Sequence, residues 1–318
     1  MVQIRFDNLS ADDCKKLALL NNSTRKGTPL ESDRSVDDTT KIIEGLSGNN
    51  AFRILSAWDS DDSLVGWIYY YTAFPLMTFI SGFYPVVADV SDADKITMEL
   101  IEASKTDFVR NDHTRLEIEL VFPTKEHRDY SKKLVDLYRQ CGFQFAAEEI
   151  HMKCDLTNLE LPEVDLSQEY TLRKFSEVSF DAIEGPALRT FKDSMEGLFL
   201  SMSDDEQLVT IKYFFDHEKP CIDDASLILE RDGEVVGFII TRIGDDGHPD
   251  IGPVGFVPEA RGQCLGSFLL VEVLKILKDS DSTSVFLDTT VTNHPAQKLY
   301  RKFGFIDEYY KQFYFWSP

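Results

Sequence analysis

Apolar and polar positions along the chain follow two periods, one of about 2 and one of about 3.6 residues, and the order in which they appear repeats. Residues 3–7 read as a short strand, followed by a helical region and then by apolar, β-branched and aromatic runs. Residues 64–88 carry no charge, a length sufficient to cross a bilayer. Pro75 and Gly82 interrupt that stretch, tyrosines occupy positions 69–71, and aspartates flank it. Two buried strands joined at 73–76 explain the same residues, and the flanks lack the positive charge that orients a span. A soluble chain with no membrane contact is therefore expected. Beyond it follow a long helix, an apolar strand at 116–121, a shorter helix and a strand-like segment at 144–156. The second half repeats the order. A strand at 170–174 leads through helical stretches to a strand at 251–257 and a helix at 268–277; then come an apolar strand at 285–288, a shorter helix and strand-like residues 308–316.

A short motif supports duplication. Leu137-Tyr138-Arg139-Gln140-Cys141-Gly142-Phe143 recurs 162 residues later as Leu299-Tyr300-Arg301-Lys302-Phe303-Gly304-Phe305, identical at five of seven positions. In each copy the glycine is placed to end a helix in a left-handed conformation. The matched flanks predict two domains, 1–156 and 169–318, joined by a linker at 157–168 where Pro162 and several acidic residues break both periods. The predicted class is α/β with a mixed, mainly antiparallel sheet flanked by helices in each domain.

Composition narrows the partners. Thirty-three basic and 55 acidic residues leave a formal net charge of −22, which repels nucleic acid and would attract a cationic substrate; a soluble cytosolic surface is the plainer reading of the same balance. The five cysteines (Cys14, Cys141, Cys154, Cys221, Cys264) are scattered without a C-x-x-C pair, so they read as reduced thiols of a cytoplasmic protein rather than as disulfides or metal ligands. No basic segment followed by an apolar one opens the chain, so no signal peptide is expected and the sequons near Asn21 and Asn22 carry no meaning.

The chemistry concentrates after residue 250. The strand Ile251-Gly252-Pro253-Val254-Gly255-Phe256-Val257 ends at Pro258, and Arg261-Gly262-Gln263-Cys264-Leu265-Gly266-Ser267 leads directly into a helix. Small residues there let backbone amides approach an anion, and the helix start adds its unpaired N–H groups and positive dipole end. A diphosphate suits the site; a tight strand-to-helix turn packed on glycines is the plainer reading of the same residues. Neither a P-loop Gly-Lys-Ser/Thr nor a Gly-x-Gly-x-x-Gly fingerprint is present.

This stretch resembles the acetyl-CoA signature of the GNAT N-acetyltransferase superfamily, a strand with Val-x-Pro followed by Arg-Gly-x-Gly-x-Gly/Ala. Asn293-His294-Pro295-Ala296-Gln297-Lys298-Leu299-Tyr300-Arg301-Lys302-Phe303-Gly304-Phe305 is similar to that family's Asn-x-x-Ala-x-x-Leu-Tyr-x-x-x-Gly-Phe element. The resemblance covers residues 168–318 well and reaches 1–156 mainly through Tyr138. It implies a tandem GNAT protein whose fourth and fifth strands of the second domain splay around the pantetheine arm of acetyl-CoA. Phe256 and Val257 would then bond the acetyl and pantetheine groups through their backbones. The amides of Gly262, Gln263, Cys264, Leu265, Gly266 and Ser267 would hold the pyrophosphate, with Asn293 contacting pantetheine; Arg261 either adds charge near the phosphates or is an exposed loop arginine. Cys264 stands where the family usually has glycine, so either it crowds the cofactor or its side chain points away.

The resemblance also implies acetyl transfer to an amine of a small molecule or peptide, through a tetrahedral intermediate and without a metal. Tyr300 is then the acid for the departing thiolate, with a helix tyrosine buried against the sheet as the plainer reading. Asp288 is the candidate base, similar in placement to the acidic base of ribosomal-protein alanine acetyltransferases, with His248 and Asp250 as alternatives and an outward-facing strand aspartate as the plainer reading. The first domain has Val87-Ala88-Asp89-Val90-Ser91-Asp92-Ala93-Asp94-Lys95 in place of the glycine loop. Its aspartates repel a pyrophosphate, so Tyr138 is expected to be a packing residue and the domain a degenerate copy that shapes the substrate cleft. Met195, Phe199, Met202, Phe214 and Phe215 in the insert 184–224 either line an acceptor cleft or form ordinary amphipathic helices. A non-catalytic CoA-sensing or partner-binding module is the alternative function.

Overall fold

Period-two alternation in the strands and capped amphipathic helices account for the architecture of the computed structural model, which describes residues 2–6, 9–74, 76–80, 85–111, 113–244 and 247–318. Asp7, at the expected end of the first strand, lies outside the described residues, as do Pro75 and Gly82. In chain order the first elements are β1 (Gln3–Phe6), α1 (Ala11–Arg25), α2 (Val36–Ser47), β2 (Phe52–Trp58), β3 (Leu64–Phe74), β4 (Met77–Ile80), β5 (Val86–Val87), α3 (Ala93–Arg110), β6 (Arg115–Phe122), α4 (Lys125–Gln140) and β7 (Gln144–Asp155). They are followed by β8 (Tyr170–Lys174), α5 (Phe180–Lys192), α6 (Gly197–Leu200), α7 (Asp204–Phe214), β9 (Leu227–Arg231), β10 (Glu234–Ile243), β11 (Pro249–Phe256), α8 (Leu265–Asp279), β12 (Ser284–Thr290), α9 (His294–Lys302) and β13 (Ile306–Trp316). Serine hydroxyls start several helices: Ser10, Ser35 and Ser203 each accept the N–H three residues on, satisfying a donor the helix leaves open.

The chain forms two compact units, Met1–Ala146 with Lys311–Pro318, and Ala147–Tyr310. Each unit thus ends on a strand drawn from the other half of the sequence: most of β7 belongs to the second unit and the end of β13 to the first. The segment expected to be a linker, 157–168, lies wholly in the second unit. Its Leu159, Leu161, Val164 and Leu166 pack against that unit's core, and Lys278 Nζ donates to the Leu159 carbonyl at 2.7 Å.

In the first unit β1, β2, β3 and β4 pair antiparallel in sequence, and β4 meets β6 in parallel from Met77↔Arg115 to Ile80↔Ile118. Alternation directs Ile54 and Trp67 to one face, against Cys14, Leu17, Ala18 and Ile43 of α1 and α2. Leu55 and Ile68 point to the other, against Leu100, Ile101 and Phe108 of α3 and against Tyr138. Residues 64–74 and 77–80 are therefore strands, and among the described residues no helix is long and apolar enough to cross a membrane.

In the second unit the strand order is β7-β12-β11-β10-β9-β8. Phe238 and Ile240 of β10 face Ile183, Ala187 and Phe191 of α5 and Ile211 of α7, while Ile239 faces Leu269, Leu270, Val273 and Leu274 of α8. Truncating such a fully buried leucine to alanine costs about 2–5 kcal/mol. This is the mixed, mainly antiparallel sheet flanked by helices that the periodicities predict.

Candidate active site

The site begins where two strands part. β11 runs antiparallel to β10 from Ile243↔Pro249 to Gly237↔Phe256. It meets β12 in parallel at Asp250↔Phe286 and Ile251↔Leu287. Beyond that point β11 stays with β10, whereas β12 stays with β7 as far as Thr290↔Glu149. The strands so diverge from Ile251 and Leu287 onward. Glycines permit the crowding beside the gap. A Cβ on Gly237 would lie 2.5 Å from the Phe256 ring, and one on Gly255 would lie 2.5 Å from Thr190 Cγ2 of α5.

Backbone direction corrects one expectation. The Val257 N–H donates to the Val236 carbonyl at 3.0 Å, so it is committed to the β10 side, and its side chain is buried. Because successive peptide groups of a strand alternate in direction, the amides turned toward the gap are those of Phe256 and Val254. The Val257 N–H is therefore not free to meet a ligand in the gap, contrary to the expectation for that residue.

The turn after β11 is held by Arg261. Its Nε donates to the Phe256 carbonyl at 3.0 Å, Nη1 to the Asp193 carbonyl and Oδ2 at 2.8 and 2.7 Å, and Nη2 to the Thr190 carbonyl at 3.1 Å. This guanidinium therefore ties the loop to the C-terminus of α5, where a cation also suits the dipole; it is not held out toward a phosphate. Gln263 is similarly engaged: its Nε2 donates to the Glu259 carbonyl at 3.0 Å, and its Oε1 accepts from the Tyr170 hydroxyl.

Gly262 and Cys264 both have left-handed backbone, with φ of +76° and +60°. The family's glycine at position 264 thus answers to a backbone requirement, and Cys264 departs from it by placing a Cβ in a conformation that costs an L-residue about 1–2 kcal/mol. Its side chain is exposed and makes no cap to α8. The Ser267 and Phe268 N–H groups turn back to the Cys264 carbonyl at 3.0 and 3.2 Å. The Ser267 N–H, expected among the anion-binding amides, is thus already engaged, whereas the N–H groups at the very start of α8 are those a helix leaves without an intrahelical partner. The Leu265 side chain is buried in the core. A Cβ on Gly266 would come 3.1 Å from Leu299 Cδ2, so glycine lets the start of α8 lie against α9. No acidic residue occupies the first turn of α8. These features fit the diphosphate and thioester arm of acetyl-CoA.

A second cluster forms where β12 leads into α9. Asn293 caps α9, its Oδ1 accepting the Ala296 N–H at 3.3 Å, while its Nδ2 donates to Glu196 Oε1 at 3.2 Å. Glu196 arrives on the loop between α5 and α6. The Thr290 and Thr292 hydroxyls anchor that loop by donating to the Met195 carbonyl, both at 3.3 Å. Burial pushes the Glu196 carboxyl above its usual range, and the Asn293 amide pulls it partly back. Tyr300 of α9 is only 7% exposed. Burial first, and then the negative charge of Glu196, raise its phenol far above the ordinary tyrosine value.

Glu196 was not among the residues singled out from the sequence. The available signal was slight: it is the one charged side chain between Ser194 and Ser203.

Other candidates fall elsewhere. Asp288 is exposed on β12, with Oδ1 2.8 Å from His151 Nδ1 on β7, and the His151 ring is stacked between Phe286 and Tyr309. The structure thus couples Asp288 to His151 and gives Tyr300 a different carboxylate. His248 lies at the start of the same sheet region, its Nδ1 3.4 Å from Ser284 Oγ, and Asp250 is opposite Arg242 and Phe286 in register. Phe199 and Phe215 are core residues beside Phe175, Phe191 and Phe238, with Met202 and Phe214 packed against them. Of the five apolar residues proposed for a cleft, Met195 is the exposed one, at 52%.

Comparison with known proteins identifies the family. The model of the acetyltransferase (GNAT) family matches residues 190–305. An N-alpha-acetyltransferase of Sulfolobus acidocaldarius is 30% identical over 129 residues, 33% of this chain and 76% of that protein. The chain belongs to the GNAT family. A mycothiol acetyltransferase of an Arthrobacter species is 30% identical over 177 residues, 54% of this chain and 53% of that protein, so the chain spans about half the length of this GNAT relative. Among solved structures, a tandem GNAT protein from the clavulanic acid biosynthesis pathway is similar with a TM-score of 0.54 and 15% identity, covering 100% of this chain and 98% of that one. This last likeness concerns the fold, and it extends the GNAT architecture across both halves.

Proposed function

We propose that the second unit is an acetyl-CoA-dependent N-acetyltransferase, with Glu196 as general base and Tyr300 as general acid. The observation that carries this reading is the meeting of Glu196, Asn293 and Tyr300 beyond the end of a strand that has parted from β11. In this reading the diphosphate of the substrate acetyl-CoA lies on the amides of residues 262–266, and the thioester enters the gap. The amides of Val254 and Phe256 face the acetyl oxygen and stabilise the charge it gains in the tetrahedral intermediate. Glu196 takes a proton as the acceptor amine attacks, the N–C bond forms, the C–S bond breaks, and Tyr300 gives its proton to the departing sulfur. The two groups help each other in order. Once Glu196 is neutralised by the amine proton, burial still raises the Tyr300 phenol but the contribution of the Glu196 charge is gone, so Tyr300 is a stronger acid than before when the thiolate leaves.

The acceptor is a small-molecule or peptide amine. A relative named for mycothiol and another named for N-alpha acetylation support these two classes, and the net charge of −22 favours a cationic amine. The five free thiols suit a cytoplasmic setting. The test is acetyl transfer from acetyl-CoA to glucosamine, spermidine and an alanine-initiated peptide, followed by mass spectrometry. Product with at least one amine, and a loss of about 100-fold in kcat for Glu196→Gln, supports the reading. The acid limb of the pH–rate profile should lie above the ordinary glutamate range, because a base raised by burial is protonated, and lost, at a higher pH. Binding of acetyl-CoA without acetylation of any of these amines would favour a CoA-sensing role.

A further inference from the structure

We infer that Asn293 is a positioning residue that aims and tunes Glu196, in place of the pantetheine contact that family resemblance implies for it. The inference rests on the reading of Glu196 as the base. Both ends of the Asn293 side chain are engaged: Oδ1 accepts from the Ala296 N–H and Nδ2 donates to Glu196 Oε1. The loop carrying Glu196 has no regular strand or helix of its own between Asp193 and Glu196, and it is fixed from outside. The Thr290 and Thr292 hydroxyls hold the Met195 carbonyl, the Ser194 Oγ accepts the Glu196 N–H at 3.1 Å, and Asn293 holds the carboxylate. The corner between β12 and α9 therefore presents three side chains within four residues to one two-residue segment of a distant loop. From α9 the titratable group facing Glu196 is Tyr300. Asn293 is a neutral donor, so it favours the charged carboxylate without compensating its charge. Burial raises the Glu196 carboxyl, and the Asn293 hydrogen bond offsets part of that rise.

The test separates this role from helix capping and from cofactor contact. Asn293→Ser keeps a good cap for α9 but cannot reach Glu196; Asn293→Asp keeps the cap and places a second carboxylate beside the first. The Glu196 carboxylic C=O band is followed by infrared titration of the full chain without acetyl-CoA, isolated by difference against Glu196→Gln. Its midpoint should move upward in Asn293→Ser and further upward in Asn293→Asp. The acid limb of the pH–rate profile, measured with whichever of the three amines is acetylated, should move with it. Calorimetric affinity for acetyl-CoA should stay within about twofold and kcat should fall about tenfold. An unmoved carboxylic band would overturn the inference, as would a tenfold loss of acetyl-CoA affinity at unchanged band and kcat, which would return Asn293 to the pantetheine. If Glu196→Gln kept full kcat, the base assignment would fail by itself, whatever the infrared result.

Discussion

The corner at Leu137–Phe143 and the corner at Leu299–Phe305 are built alike and surrounded differently. In both, a helix ends at a glycine with positive φ, +85° at Gly142 and +90° at Gly304. The next N–H returns to the tyrosine carbonyl at 3.1 Å in each, Phe143 to Tyr138 and Phe305 to Tyr300. The tyrosines then part company. Tyr138 is fully buried among Leu100, Phe108 and Phe143, and burial raises its phenol with a neighbouring thiol, Cys141, as the second cause. Tyr300 has a carboxylate, Glu196, delivered by a loop about a hundred residues earlier. Nearby, α8 of the second unit has Gly266 and no acid in its first turn, whereas α3 of the first has Asp92 at its N-cap and Asp94 in its first turn. Local sequence shared at five of seven positions produces a matching corner; what surrounds the tyrosine depends on what other segments bring to it.

The sharpest way to break this comparison is to treat the two tyrosines alike. Tyr300→Phe should lower kcat by tenfold or more, equivalent to about 1.4 kcal/mol in the barrier, whereas Tyr138→Phe should leave turnover and acetyl-CoA affinity unchanged. Equal losses in both would return Tyr300 to packing. Next in size is the loop itself. Arg261→Ala removes hydrogen bonds to three carbonyls and one carboxylate oxygen, and the exposed part of that network is screened. We expect a loss of about 1–2 kcal/mol in denaturant unfolding without ligand, together with weaker acetyl-CoA binding. A pure phosphate contact would weaken binding with no change in the stability of the free protein. The smallest effect should come from Cys264→Gly. Relieving a left-handed cysteine gains about 1 kcal/mol at most after the added chain entropy of glycine, so the melting temperature should rise modestly. A fall would mean that the thiol makes a contact the backbone argument omits.

How far the sequence could be read follows from the range of each interaction. Strand alternation, helix periods and the two glycine corners are local, and the mixed sheet they predict is the one found. The divergence of β11 and β12 entered through family resemblance. The direction of the Val257 amide depends on its pairing with Val236, which no local pattern reveals. Arg261 looked like a phosphate ligand because its partners, Thr190 and Asp193, are about seventy residues away. Glu196 was missed for the same reason. Pro162 and acidic residues make 157–168 read as a linker, but Leu159, Leu161, Val164 and Leu166 dock the segment on the core. Asp288 was visible as an acid on the right strand, but only the register with β7 reveals His151 opposite it.

Hydrogen exchange of the full chain with and without acetyl-CoA addresses both regions at once. Slowed exchange at residues 254–256 and 262–268, with none at 86–95, is the predicted result. Protection at 86–95, or binding without protection at 262–268, would contradict the placement of the acetyl-CoA site in the second unit.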